Sequence, residues 1–295
     1  MSAHLTPVVR SDGPYGQIVL FGDSITEHAF GAGSGFSYGG AMAHVFRRRL
    51  DVINRGFGGY NTEHGLIALP IFMPTPAQAK VELLVSGPID LVEAQLTSSK
   101  IVCFGANDSC LPHDPTGHHV PLEAYCENLT AMITCAEVKA HLPRILLVTP
   151  PPIDEYQRVL ADQSKGYFQI RRTATNTRKY AQACKETASR LNVPTVDIWT
   201  SFLKHAGWAE GLVLPGSRDV TPNETLQNLF YDGGHVRYDS WSLTDTLIGL
   251  HLSPEGYKLV FDEVLNAIKA NYPDLDPDKM EYVFPTWEEA PKRQG

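Results

Sequence analysis

The sequence predicts an α/β fold in which a mainly parallel five-stranded sheet is covered by helices on both faces, giving three layers. Short apolar runs alternate along the chain with longer segments whose apolar residues recur at helical spacing. Strands and helices that alternate in this way build parallel sheets, because the chain crosses over a helix before it pairs again. In such sheets a binding site lies at the carboxyl ends of the strands.

The individual elements follow from these patterns. The predicted strands are 17–22, 51–54, 100–105, 144–148 and 194–198. The predicted helices are 38–50, 121–140, about 173–191, and a last helix that begins after Ser253. Ser253 is a favourable N-cap and Pro254 suits the first helical position. The N-terminus of this last helix is therefore the most clearly predicted of the helix boundaries. The stretches 73–99 and 206–242 fit neither pattern, and irregular segments of such length often form lids or rims of sites.

Composition and charge exclude several classes of function. The chain has 295 residues, of which 43% are apolar and 20% charged, which predicts one globular domain over 1–295 with its core at about 17–270. The net charge of −8 argues against a nucleic-acid partner. No stretch approaches the ~18 apolar residues of a membrane span, so we expect no stable membrane insertion. The first 16 residues lack the apolar segment of a secretory signal.

The cysteine and histidine patterns predict neither disulfides nor a metal site. The five cysteines are irregularly spaced and odd in number, which favours free thiols and an intracellular, cytoplasmic location. The cluster of His113, Asp114, His118 and His119 matches no closed zinc pattern and is typical of a solvated loop. The glycines at 31, 33 and 35 follow no strand directly, so they do not predict a nucleotide site. We therefore expect no cofactor and no metal.

The C-terminal tail, 271–295, carries four prolines and is predicted to cross the surface without regular structure. It also carries the aromatic residues Tyr272, Tyr282, Phe284 and Trp287, which are unusual for a disordered tail. The tail is therefore expected to pack on the domain or on a partner subunit. Packing on a partner subunit would imply that the protein is a homodimer.

Four short motifs point to chemistry at a serine. Ser24 follows the first strand in Gly22-Asp23-Ser24, and Gly22 allows a sharp turn that a side chain would hinder. Gly59 lies in a glycine-rich segment after the second strand, Asn107 follows the third strand, and His251 immediately precedes the last helix. Each motif alone also fits a turn, a flexible loop or a structural histidine. Together they supply a nucleophile, a base and the fixed donors that an oxyanion needs.

In this order the four motifs resemble those of the SGNH hydrolases, also called GDSL esterases. By that resemblance Ser24 is the nucleophile and His251 the general base, and the oxyanion hole consists of Ser24, Gly59 and Asn107. The resemblance implies a flavodoxin-like three-layer fold and acyl transfer to water without metal or cofactor.

Within this family the chain is most similar to the isoamyl acetate-hydrolysing esterases. The segments that carry the similarity are 22–27, 55–60, 104–109 and 272–282. The similarity extends from Gln17 to about Trp287, with apparent insertions near 75–98 and 204–248. It implies a small-molecule substrate, a short-chain acyl ester of a small alcohol. A lipid or carbohydrate acyl-ester hydrolase on the same scaffold, and a catalytically weak binding protein, remain alternatives.

The position at which the family carries the acid that orients the base differs in this chain. The family places an aspartate three residues before the base, and here that position is Ile248. Asp245 lies three residues further upstream, as if three residues were inserted, and it is the first candidate. Asp232 satisfies the same spacing to His235, but the residues that follow do not match the family's motif. In the third alternative the acid is absent and a backbone carbonyl orients His251.

Overall fold

The computed structural model describes residues 15–31, 35–77, 98–231, 248–284, 286–288 and 290, and for 98–100 the backbone alone. It contains a sheet of five strands in the order β2-β1-β3-β4-β5. The strands are β1 Gly16–Gly22, β2 Leu50–Gly56, β3 Ser98–Cys103, β4 Pro143–Val148 and β5 Thr195–Val196. Every neighbouring pair is parallel. The predicted parallel α/β sheet is therefore confirmed.

Helices cover both faces of this sheet. They are α1 Ser24–Glu27, α2 Tyr38–Val45, α3 Thr62–Phe72, α4 Leu122–Thr134, α5 Ala136–Lys139, α6 Glu155–Ser164, α7 Ala174–Arg190, α8 Ile198–His205, α9 Glu224–Gln227 and α10 Pro254–Asn271. Short 3-10 turns span His28–Phe30 and Pro273–Leu275. Among the helices described, none is both long enough and apolar enough to span a bilayer.

The strand β1 shows how the three layers form. Successive side chains of a strand point to opposite faces of the sheet. Ile18 and Leu20 join a core shared with α2, α8 and α10. Phe21 joins a second core shared with α3, α4 and α7. The sheet is thus buried on both faces, which explains why its strands are nearly continuous apolar runs.

Three predicted elements end earlier than the apolar pattern indicates. The helix predicted over 38–50 stops at Val45, and Arg48 adopts a φ of 61° in the turn before β2. The helix predicted over 121–140 breaks at Cys135, whose ψ of 159° is extended. The last strand is shorter than 194–198 because Asp197 caps α8, with its side chain accepting from Thr200 N at 3.1 Å. In each case a local turn or cap ends the element before the apolar residues do.

The strand register places the candidate residues side by side. Gly22 at the end of β1 pairs with Gly56 at the end of β2 and with Cys103 at the end of β3. Cys103 in turn pairs with Val148, the last residue of β4. The loops that follow these strands therefore begin at one edge of the sheet, where the sequence places Ser24, Gly59 and Asn107.

The described part of the C-terminal tail contacts the domain. The Tyr272 hydroxyl is buried and donates to Ile145 O at 3.1 Å. The guanidinium groups of Arg48 and Arg49 lie 4.3 and 4.5 Å from the centre of the Tyr282 ring. By contrast, the side chain of Trp287 is 82% exposed.

Candidate active site

Ser24 is presented by the turn from β1 into α1. The Asp23 side chain caps this helix and accepts from Ile25 N at 2.9 Å. Gly22 is needed because a Cβ there would lie 2.2 Å from Thr26 Oγ1 and 2.4 Å from Cys103 O. The close approach of these atoms fixes the turn, and Ser24 stays half-buried at its tip.

His251 is in hydrogen-bond contact with Ser24. The distance from His251 Nε2 to Ser24 Oγ is 2.7 Å, although 227 residues separate the two in sequence. The segment that carries His251 is held by its backbone, since Tyr231 N donates to His251 O at 2.9 Å and Ser253 N donates to Leu229 O at 3.0 Å. The imidazole is buried, and its Nε2 can accept the proton of the Ser24 hydroxyl.

A second imidazole, that of His28, lies beside His251. The two ring centres are 5.4 Å apart and the rings meet edge to face. Burial lowers the pKa of His28 below its ordinary value of 6.5. His28 is therefore neutral at neutral pH and adds no positive charge next to the base.

The loops after β2 and β3 meet at the turn of Ser24. Phe57 N donates to Gly22 O at 3.0 Å, and Asn107 Nδ2 donates to Tyr60 O at 2.9 Å. Gly59, between these contacts, has a φ of +77°, which favours glycine. The structure thus brings together the segments that carry Ser24, Gly59 and Asn107, and their role as an oxyanion hole stays a prediction.

Two buried carboxyl groups stand next to these donors. Burial raises the pKa of Asp23 from 3.8 to about 7. It raises the pKa of Asp108 to about 6, although Thr62 N and Thr62 Oγ1 both donate to Asp108 Oδ1, at 2.9 and 2.5 Å. A partly protonated Asp23 reduces the negative charge beside the nucleophile, where an oxyanion would form. Asp108 ties the loop of Asn107 to the start of α3.

His118 faces the backbone of Gly59. Its Nε2 lies 3.4 Å from the position that a Cβ on Gly59 would take. The Thr116 hydroxyl donates its single proton to Asp114, so it must accept from Nδ1–H of His118, which is 2.8 Å away. Burial lowers the pKa of His118 to about 4. At neutral pH its Nε2 is thus a neutral acceptor in the wall beside Gly59.

Three of the described side chains approach one another as metal ligands would. The ligand atoms of Cys110, Asp114 and His118 lie within 4.8 Å of one another. However, Asp114 already forms a buried ion pair with Arg171, which lowers the pKa of its carboxyl. Burial raises the pKa of the Cys110 thiol to about 12, so no thiolate forms at neutral pH. A protonated thiol and a carboxylate held by arginine are a poor donor set for a cation.

The other histidines of the same sequence cluster point elsewhere. His113 Nε2 lies 2.9 Å from Ile170 O, and His119 Nδ1 lies 2.6 Å from Cys110 O. Each ring is thus in hydrogen-bond contact with a backbone carbonyl oxygen.

The candidate acids Asp232 and Asp245 lie outside the described residues. Ile248, which occupies the family's usual aspartate position, accepts at its carbonyl oxygen from Arg158 Nη1 at 3.2 Å. The acid that orients His251 therefore stays a prediction.

One residue of the site escaped the sequence motifs. Arg172 Nη2 donates to Asn107 Oδ1 at 2.9 Å. Arg171 and Arg172 directly precede Thr173, the N-cap of α7. Cations are unfavourable at a helix N-terminus, so this pair of arginines was a signal that the position serves another purpose.

Comparisons with known proteins show which family the chain belongs to. The model of the GDSL-like Lipase/Acylhydrolase family matches residues 20–259. An isoamyl acetate-hydrolyzing esterase 1 homolog of Mus musculus is 34% identical over 275 residues, which cover 93% of this chain and 88% of that protein. A GDSL esterase/lipase of Arabidopsis thaliana is 31% identical over 274 residues, covering 91% of each chain.

Solved structures show the same fold. An acetyl xylan esterase, AlAXEase, superposes with a TM-score of 0.53 at 17% identity, over 85% of this chain and 99% of that one. A lipase/acylhydrolase from Enterococcus faecalis gives 0.51 at 21% identity, over 87% and 96%. With the family model spanning most of the chain and a relative above 30% identity, the protein belongs to the GDSL-like lipase/acylhydrolase family and is an ester hydrolase.

Proposed function

We propose that this protein is a serine esterase that hydrolyses short-chain carboxylic esters, of the acetate type, through an acyl-enzyme. The contact of 2.7 Å between Ser24 Oγ and His251 Nε2 carries the proposal. A nucleophilic hydroxyl and a base at this distance are what covalent catalysis at serine requires. The acetate-type substrate is supported by the similarity to isoamyl acetate-hydrolyzing esterase homologs.

In the acylation step His251 Nε2 takes the Ser24 proton while Ser24 Oγ forms a bond to the ester carbonyl carbon. The electron pair of the carbonyl moves onto its oxygen. The resulting oxyanion accepts from the backbone N–H groups of Ser24 and Gly59 and from Asn107 Nδ2. When the tetrahedral intermediate collapses, the alcohol leaves with the proton from His251.

In the deacylation step the same groups act on water. His251 takes a proton from a water molecule whose oxygen attacks the acyl carbon. The second oxyanion occupies the same donors, and its collapse breaks the bond to Ser24 Oγ. His251 returns the proton to Ser24, and the carboxylic acid leaves.

We further propose that Asp245 orients His251. Asp245→Asn is expected to lower kcat by ~10²- to 10⁴-fold, since an amide cannot balance the imidazolium that forms during each step. Asp232→Asn is the matched control and should keep kcat within about threefold of wild type. Steady-state kinetics of the two variants decide between them. Small and equal effects would contradict the assignment of Asp245.

A panel of esters tests the substrate class. Isoamyl acetate and the p-nitrophenyl acetate, butyrate and octanoate are compared by kcat/KM, with Ser24→Ala as the blank. We expect the acetate and butyrate to be hydrolysed at least ~10-fold more efficiently than the octanoate. A kcat/KM that keeps rising with chain length would instead indicate a lipid-type substrate.

One observation favours a second candidate, a carbohydrate acyl ester. The neutral Nε2 acceptor of His118 beside Gly59 offers a partner to a hydroxyl group of the alcohol half. Adding a monoacetylated xylose to the panel tests this. A kcat/KM above that of isoamyl acetate, lost selectively in His118→Leu, would favour the carbohydrate ester.

A further inference from the structure

Arg172 lies directly behind the candidate oxyanion donor Asn107. It is 4% exposed and precedes α7. Its Nη2 donates to Asn107 Oδ1 at 2.9 Å, and its Nε donates to Ala106 O at 3.3 Å. The backbone bond from Leu111 N to Arg171 O, 2.8 Å long, keeps this segment alongside the loop of Asn107. The guanidinium is therefore held by two hydrogen bonds to adjacent residues of this loop.

The buried arginines near this loop differ in how their charge is balanced. Arg158 forms an ion pair with Asp162, and Arg171 pairs with both Asp162 and Asp114. Arg172 forms no ion pair with any carboxylate of the described residues. A guanidinium cannot lose its proton in a protein, and buried charges without a counter-ion are costly. The positive charge of Arg172 is felt by the buried carboxyl of Asp23 without a direct ion pair, and its hydrogen bond is directed at the amide of Asn107.

This contact fixes which way the Asn107 amide points. With its oxygen accepting from Arg172, the nitrogen faces Tyr60 O and donates to it at 2.9 Å. The reversed amide would place NH2 against the guanidinium and oxygen against a carbonyl oxygen, and both contacts are repulsive. Nδ2 carries two hydrogens and uses one for Tyr60 O. The other stays available as a donor for a substrate oxyanion.

We infer that Arg172 is a positioning residue of the oxyanion hole, which orients the Asn107 amide and polarises it toward the oxyanion. Hydrogen bonds in a chain strengthen one another, so the guanidinium makes the Nδ2–H a stronger donor. The charge acts at a site of low dielectric constant and is already in place before the reaction. The inference rests on the proposed function, because it requires Ser24 and Asn107 to act as described above.

The test compares kcat and KM for p-nitrophenyl acetate in Arg172→Met, Arg172→Lys, Asn107→Ala and the double variant Asn107→Ala/Arg172→Met. We expect Arg172→Met to lower kcat by on the order of 10²-fold with KM within about twofold, as for loss of an oxyanion donor. Arg172→Lys retains the charge and should recover part of the loss. In the Asn107→Ala background the Arg172→Met change should cost less than about threefold, because both residues act through one donor.

Arg144→Met is the control, since Arg144 is the second residue of β4, at the amino end of the strand and away from the site, and pairs with Asp274. It should leave kcat unchanged.

Additive losses in the double variant, or wild-type kcat in Arg172→Met, would overturn the inference. If Arg172→Met does not fold, Arg172→Lys decides: the inference predicts a loss of kcat that nearly disappears in the Asn107→Ala background, and an equal loss in both backgrounds would overturn it. Wild-type turnover that Ser24→Ala abolishes tests the proposed function separately, so the two failures are distinguishable.

Discussion

Replacing His251 with alanine is expected to lower kcat for a short-chain ester by ~10⁴- to 10⁶-fold while KM changes little. The reason is the contact of 2.7 Å to Ser24 Oγ, since the substitution removes the proton acceptor that the described residues place at that oxygen, and the neutral hydroxyl is a weak nucleophile. Steady-state kinetics with p-nitrophenyl acetate measure the effect.

An exposed histidine gives the matched control for this variant. His44 lies on α2, and its ring contacts Arg47 Nη1 at 3.3 Å. His44→Ala should keep the wild-type kcat, and circular dichroism should show both variants folded. A folded His251→Ala enzyme that loses less than about tenfold in kcat would mean that another group takes the Ser24 proton.

Gly56→Ala is expected to damage both the fold and the activity. A Cβ at Gly56 would lie 1.9 Å from Glu27 N, 2.4 Å from Glu27 Cα and 2.5 Å from Thr26 C. These are backbone atoms of α1, the helix that begins at Ser24, so no side-chain rotation relieves the clash. Overpacking of this kind costs about 1–3 kcal/mol, and a shift of 1 Å at a nucleophile can cost ~10²-fold in rate. Thermal unfolding and kcat measure the two effects.

Gly166→Ala provides the comparison, because a Cβ there meets nothing within 4 Å although the φ is +82°. It should lose only the ~1 kcal/mol of an unfavourable backbone angle and keep its kcat. If Gly56→Ala unfolds at the wild-type temperature with wild-type kcat, α1 is not held against β2 as described.

The sequence predicted the sheet well because its strands are buried on both faces and read as apolar runs. It predicted helices less completely. The helix α3 was missed because it contains Gly65 and Pro70, two residues that normally argue against a helix interior. Gly65 is retained for packing, since a Cβ there would lie 2.9 Å from both Met132 Cε and Phe104 Cζ. Tertiary contacts here outweigh local propensity.

The site shows the same division between local and long-range information. Ser24, Asn107 and His251 each sit in a short motif, and the order of these motifs with their resemblance to a known family pointed to them. The role of Arg172 depends on a contact between residues 65 apart in sequence, and no local pattern encodes that distance. The raised pKa of Asp23 likewise follows from burial between packed elements. Both features depend on contacts between distant segments that only the folded structure brings together.

The most direct test of the central claim, that Ser24 is the activated nucleophile, is covalent labelling with a fluorophosphonate followed by peptide mass spectrometry. A serine activated by a neighbouring base attacks the phosphorus and expels fluoride, leaving a stable adduct. The account predicts one adduct per chain, on Ser24, which is absent in Ser24→Ala and forms far more slowly in His251→Ala. Equal labelling of Ser24→Ala, or a folded and unlabelled wild-type protein, would contradict it.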